Sequence, residues 1–116
     1  MHELSVAQNI IEIVEEHAVK MKADHVTEIV LDIGAVSGVI PENLEFAWEI
    51  SAKNTIVEGA VLKINFIKAK AVCLECKKEF NLDDIYSICE YCKSINYDIV
   101  QGKELKVRSI KIPDNS

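Results

Sequence analysis

Four cysteines, Cys73, Cys76, Cys89 and Cys92, are spaced C-x2-C-x12-C-x2-C. Two cysteines three positions apart turn around one metal ion, because a tight turn after the first aims both sulfurs inward. Two such knuckles complete a tetrahedron of thiolates, the donor set that suits structural Zn(II). Two disulfides would require an oxidising compartment, and a redox pair would need one C-x2-C at a helix start rather than two matched ones. The spacing therefore predicts one closed, structural zinc site.

A second candidate lies at the amino terminus, Met1-His2-Glu3. The terminal amine, the His2 amide and the His2 ring offer three nitrogens, and the Glu3 amide a fourth. A square-planar, nitrogen-rich set suits Ni(II) or Cu(II). Binding there displaces protons, so it weakens as pH falls. By itself, a histidine near a free terminus is ordinarily just solvated.

Longer stretches change that reading. Met1-His2-Glu3-Leu4-Ser5 resembles the HypA family of hydrogenase and urease nickel-incorporation metallochaperones, as do Ile33 to Glu42, Ala52 to Ala60, the two C-x2-C pairs and Gly102-Lys103-Glu104-Leu105. The resemblance runs the length of the chain in order. It implies Ni(II), carried as cargo on Met1, His2 and Glu3, and a separate Zn(II) on the four cysteines. It also implies delivery to a HypB-type GTPase, to the hydrogenase large subunit or to urease maturation proteins. The Glu3 carboxylate is a further possible donor. The chain departs from the family at the knuckles: Lys77 and Lys93 stand where glycine is usual, and Glu90 where proline is usual. Glycine eases a positive φ at a knuckle.

The elements that must hold these sites follow from periodicity. Residues 4–22 read as an amphipathic helix, with Leu4, Ala7, Ile11, Val14, Ala18 and Met21 on one face. Ser5 followed by Gln8 fits a capping box, which would start the helix as late as Val6. Residues 26–34 alternate as a half-buried strand, Ile29, Leu31 and Ile33 facing one way. Pro41 opens a second helix running to about Lys53, with Leu44, Ala47, Trp48 and Ser51 on one side. Trp48 and Phe46 read as packing residues. Residues 61–72 read as one strand leading into the cysteines, and Glu79 to Leu82 as a strand between the knuckles. A hairpin-like stretch follows from Ile95 to Val100. In 104–112, Leu105 and Val107 share one phase and Ile110 and Ile112 the other, which predicts a bulge near Arg108-Ser109.

The expected fold is α+β: a two-helix, three-stranded nickel-binding domain (1–67 plus 104–116) interrupted by a four-Cys zinc-ribbon module (68–103). The 36-residue insert is too small to build a sufficient core alone.

Charge narrows the function classes. The net charge is −6, and hydrophobic residues make up 49% of the chain, enough for one modest core. Residues 1–67 hold eleven acidic groups against four lysines, whereas 68–103 are balanced. That distribution disfavours nucleic acid and suits cations or a basic protein surface. No apolar run spans a bilayer and no leader is evident, so the expected location is cytoplasmic. No Ser-His-Asp set, P-loop or dinucleotide fingerprint appears, so no catalysis is expected. His17 and His25 read as surface residues. The competing reading, which the residues alone favour, is a zinc-ribbon module that binds protein or nucleic acid, with an inert amino terminus.

Overall fold

A computed structural model describes residues 3–84 and 86–113. The order is α1 (Glu3–Lys20), β1 (Glu28–Gly34), α2 (Pro41–Ser51), β2 (Val61–Ile67), β3 (Ala69–Cys73), β4 (Glu79–Leu82), β5 (Tyr97–Gln101) and β6 (Leu105–Lys111). Two three-stranded sheets result, β2-β1-β6 and β4-β3-β5. The α+β class and the inserted ribbon are as expected.

In the first sheet β1 is central, parallel to β2 and antiparallel to β6. Ile29, Leu31 and Ile33 are fully buried on the face that α1 and α2 cover, with Val14, Leu44 and Trp48 packed against them. The buried stripe of α1 is Val6, Ala7, Ile10, Ile11, Val14 and Ala18. Leu4 and Met21, expected on that stripe, are about half exposed. Leu4 lies in the first turn of α1, and Met21 lies in the turn that follows Lys20. The helix already runs at Glu3, so the later start suggested by Ser5 and Gln8 is not adopted.

Asp32 faces the uncovered side of the sheet yet is only 1% exposed. Asn65 Nδ2 donates to its Oδ1 at 3.0 Å, and Arg108 Nη1 lies 3.2 Å from Oδ2. A buried carboxylate needs such partners. The bulge supplies one: Val30 pairs with Ser109 and Leu31 with Val107, which leaves Arg108 as the extra residue. The phase change in 104–112 therefore marks the expected bulge.

Two further expectations fail. Residues 61–72 are not one strand: β2 ends at Ile67, and β3 begins at Ala69 in the other sheet. The inward positions step from Leu62 and Ile64 to Ala69, Ala71 and Cys73, an even-to-odd shift that a single strand cannot make. Phe46 is the second correction. It is 70% exposed, because α2 turns Leu44, Ala47 and Trp48 inward and leaves Phe46 on its outer side.

The sheets meet at a joint made of backbone. Gly34 N–H donates to Glu104 O at 2.7 Å, Ala35 N–H to Ile67 O at 2.9 Å and Val36 N–H to Gly102 O at 2.9 Å. A Cβ on Gly34 would lie 2.0 Å from Gly102 O, and one on Gly102 would lie 2.6 Å from Ala69 Cα. Gly102 also has φ +111°, a region L side chains avoid. Only glycine lets three chain segments approach this closely.

Candidate metal centre

The four cysteines are brought together by β3 and two matched turns. Cys73 closes β3, and Lys77 N–H donates back to Cys73 O at 3.0 Å. Cys76 N–H reaches Cys73 Sγ at 3.5 Å. The second turn repeats the pattern, with Lys93 N–H on Cys89 O at 2.9 Å and Cys89 N–H on Ser94 O at 2.9 Å. Each turn ends in a left-handed residue, Lys77 and Lys93, both at φ 64°. The positive φ that glycine would ease is thus present in this chain and is carried by lysine.

All four sulfurs lie within 4.8 Å of one another. Cys73 Sγ and Cys92 Sγ are 3.5 Å apart, and Cys76 Sγ and Cys89 Sγ 3.6 Å. These distances are far beyond a sulfur–sulfur bond of about 2.05 Å, so the cysteines are free thiols. A tetrahedron with metal–sulfur bonds of about 2.3 Å has edges near 3.8 Å, so the donor set fits a zinc-sized ion. Cys73 and Cys89 are buried, Cys76 is half-buried and Cys92 is exposed.

The thiols do not titrate alike. The Cys76 N–H holds Cys73 down at about 6. At Cys92 the Ser94 N–H favours the thiolate, but the Cys73 sulfur, desolvation and the other sulfurs outweigh it and push the thiol up to about 12. Crowded sulfurs compete for negative charge, and a divalent cation at their centre removes that competition.

Beneath the knuckles lies a small core of Ala69, Ala71, Phe80 and Leu82, with Cys73 and Cys89. Phe80 meets Tyr97 edge-on at 5.3 Å, and Tyr97 Oη donates to Ser87 O at 2.8 Å. Ala35 and Val36 pack onto this core from the loop after β1. Their signal was two apolar residues immediately after a strand-ending glycine.

The other candidate residues fall elsewhere. Met1 and His2 lie outside the described residues. Glu3 opens α1, so its N–H is among the first-turn donors that have no acceptor within the helix. His17 and His25 are exposed, at Ile13 O and Asp24 respectively. Neither joins a metal-ligating cluster among the described residues. No described helix is long and apolar enough to cross a membrane.

Comparison with known proteins agrees with this arrangement. The family model for hydrogenase/urease nickel incorporation, metallochaperone, hypA matches residues 1–112. The hydrogenase maturation factor HypA of Psychromonas ingrahamii is 38% identical over 112 residues, covering 97% of this chain and 98% of that one. That of a Nostoc species is 40% identical over 114 residues, covering 98% and 97%. Among solved structures, the solution structure of the Ni metallochaperone HypA from Helicobacter pylori superposes with a TM-score of 0.70 at 32% identity, covering 97% of each chain. With its helix-covered sheet, its inserted ribbon and this full-length match, the chain belongs to the HypA family of hydrogenase/urease nickel-incorporation metallochaperones.

Proposed function

We propose that this chain carries Ni(II) on its first three residues and passes it on by ligand exchange, while Zn(II) on Cys73, Cys76, Cys89 and Cys92 shapes the ribbon. The observation that carries this reading is the family match, which begins at residue 1 and so includes the Met1-His2-Glu3 segment. The ligands would be the Met1 amine, the His2 amide and ring, and the Glu3 amide. The start of α1 at Glu3 supports the last of these. A first-turn amide owes no hydrogen bond to the helix, and the positive end of the dipole favours the amide anion that binding creates. A square-planar site leaves both axial faces open, so an incoming ligand attacks before the old ones leave. Such a site releases its ion readily, as a carrier requires.

Zinc, by contrast, would be enclosed. The tetrahedron has no open position, and what it supplies is stability rather than chemistry. The chain on this reading transports metal and does not catalyse a reaction. We place the boundary of the ribbon at 68–103, a division supported by the separate sheets and separate cores. Its recipients would be a HypB-type GTPase and the hydrogenase large subunit or urease maturation proteins, met in the cytoplasm.

The test is Ni(II) titration by calorimetry on zinc-loaded protein with a free amino terminus, beside His2→Ala and His17→Ala. One tight site should persist in His17→Ala and disappear in His2→Ala. Equal binding in all three would refute the terminal site and favour a zinc-ribbon interaction module.

A further inference from the structure

Ile29, Leu31 and Ile33 point from β1 toward α1 and α2, so Glu28, Val30 and Asp32 point to the other face of the sheet β2-β1-β6. Their cross-strand partners on that face are Val61, Lys63 and Asn65 of β2 and Lys106, Ser109 and Lys111 of β6, with the bulged Arg108 among them. Four cations thus share the face with two carboxylates, and the carboxylates are withdrawn. Asp32 is buried against Asn65 and Arg108. Lys63 Nζ donates to Glu28 Oε1 at 2.7 Å and Lys111 Nζ to its Oε2 at 3.1 Å. The Glu28 side chain is 13% exposed, whereas those of Arg108, Lys63 and Lys111 are 59–71% exposed. Val30, half-buried at the centre of this face, belongs to neither apolar core.

What reaches solvent here is therefore positive, on a chain whose net charge is −6. Exposed carboxylates stand instead on the helices that cover the opposite face, Glu12 and Glu16 on α1 and Glu42, Glu45 and Glu49 on α2. Glu28 and Asp32 also hold three of the cations in place before any partner arrives, which lowers the ordering cost of binding. Among the described residues Arg108 commits only Nη1 to Asp32, and Lys106 forms no ion pair. The rest of the guanidinium fork is left for a second carboxylate. Lys63 on β2 and the cations of β6 are two strand spacings apart, about 10 Å, with Val30 between them. We propose that this face is a docking surface for an acidic segment of a partner protein, whose carboxylates flank an apolar residue seated on Val30. Charge complementarity selects this occupant. A nucleic acid fits poorly, because the face has no aromatic side chain for bases to stack on and its small cationic excess neutralises few phosphates. None of these residues is a candidate metal ligand, so the proposal stands apart from the nickel reading.

The competing occupant is a second copy of the chain, offering its acidic helices. That contact pairs unlike faces and would extend into an open chain of copies. The experiment uses the zinc-loaded full chain, labelled with nitrogen-15, with two capped heptapeptides, Glu-Val-Glu-Val-Glu-Val-Glu and its lysine counterpart, and a single-stranded oligothymidine. The glutamate peptide should shift amides of β6 and of Val30 and Asp32, and should bind more weakly as salt rises from about 50 to about 300 mM. Lys106→Glu with Lys111→Glu should weaken it about tenfold and turn the preference toward the lysine peptide. Both side chains are exposed and Glu28 keeps Lys63, so the fold should survive, and unchanged core amides confirm it. Equal binding of the two peptides, no binding, or shifts confined to the helices or the knuckles would overturn the proposal. So would an oligothymidine that moves the same amides at the same concentration, or self-association, seen by sedimentation, that excludes the peptide.

Discussion

The two sheets of this molecule have the same number of strands and are held together by different means. The helix-covered sheet buries Ile29, Leu31, Ile33, Leu44, Val14 and Val57 completely. Each such side chain contributes about 1.5–3 kcal/mol relative to exposure. The ribbon buries two alanines, one phenylalanine, one leucine and two cysteines. Alanine contributes little, and on the proposed reading the cysteines would contribute through metal rather than through apolar surface. On that reading one half of the chain folds by excluding water, and the other by gathering four sulfurs that could hold a cation. The lesson is that a zinc ribbon substitutes a coordination sphere for a core.

The largest expected effect comes from removing that sphere. Structural zinc in small domains is worth about 10–16 kcal/mol at neutral pH. Stripping the metal with a chelator, or substituting Cys73→Ser, should collapse the amide signals of β3, β4 and β5 and leave those of α1 and β1 in place. Less chelator should be needed at pH 6 than at pH 8, since protons compete for the thiolates and binding weakens as pH falls. Persistence of β3–β5 without metal would break the comparison.

A smaller effect should come from the other half. Leu31→Ala removes a fully buried side chain from the centre of β1, at a cost of about 2–5 kcal/mol. Urea denaturation should show that loss in α1 and β1. Zinc release, followed with a colorimetric chelator, should still occur at the wild-type urea concentration. Early release would mean that the ribbon depends on the sheet beneath it.

The smallest change sharpens the comparison at the knuckles. Lys77 and Lys93 hold left-handed backbone that glycine adopts without strain. Lys77→Gly should stabilise the zinc-loaded ribbon by about 0.5–1 kcal/mol and leave the helical half unmoved. A differential thermal scan of the two halves by NMR would read it. A destabilised ribbon would show that the lysine side chain contributes more than its backbone costs.

Much of this architecture was legible in the residues. The four thiols converge as their spacing demands, the alternation of β1 is realised, and the phase change at Arg108-Ser109 is a bulge. Periodicity exposes such features because each is local. Three things were not local. The strand through 61–72 breaks because its two halves join different sheets, and the only trace is an even-to-odd step in which side chains face inward. Phe46 reads as a packing residue because aromatic residues ordinarily pack inside, and no pattern along one helix says what covers its far side. Asp32 lies on the face opposite the Ile29 stripe and is buried all the same. Its partners are Asn65, 33 positions away, and Arg108, 76 positions away at the bulge.

The joint at Gly34 and Gly102 bears on how this chain can be cut and rebuilt. A ribbon that hung from a tether could be exchanged for another by joining two ends. Here the loop after β1 is a third participant, tied by the Ala35 N–H to Ile67 O and by the Val36 N–H to Gly102 O, with Ala35 and Val36 seated in the ribbon's own core. A graft spliced at 68 and 103 would carry two of the three interlocked strands and leave the third facing a stranger. The unit of exchange is therefore discontinuous in sequence, residues 34–36 together with the insert, and a chimera that respects it keeps the angle between its halves.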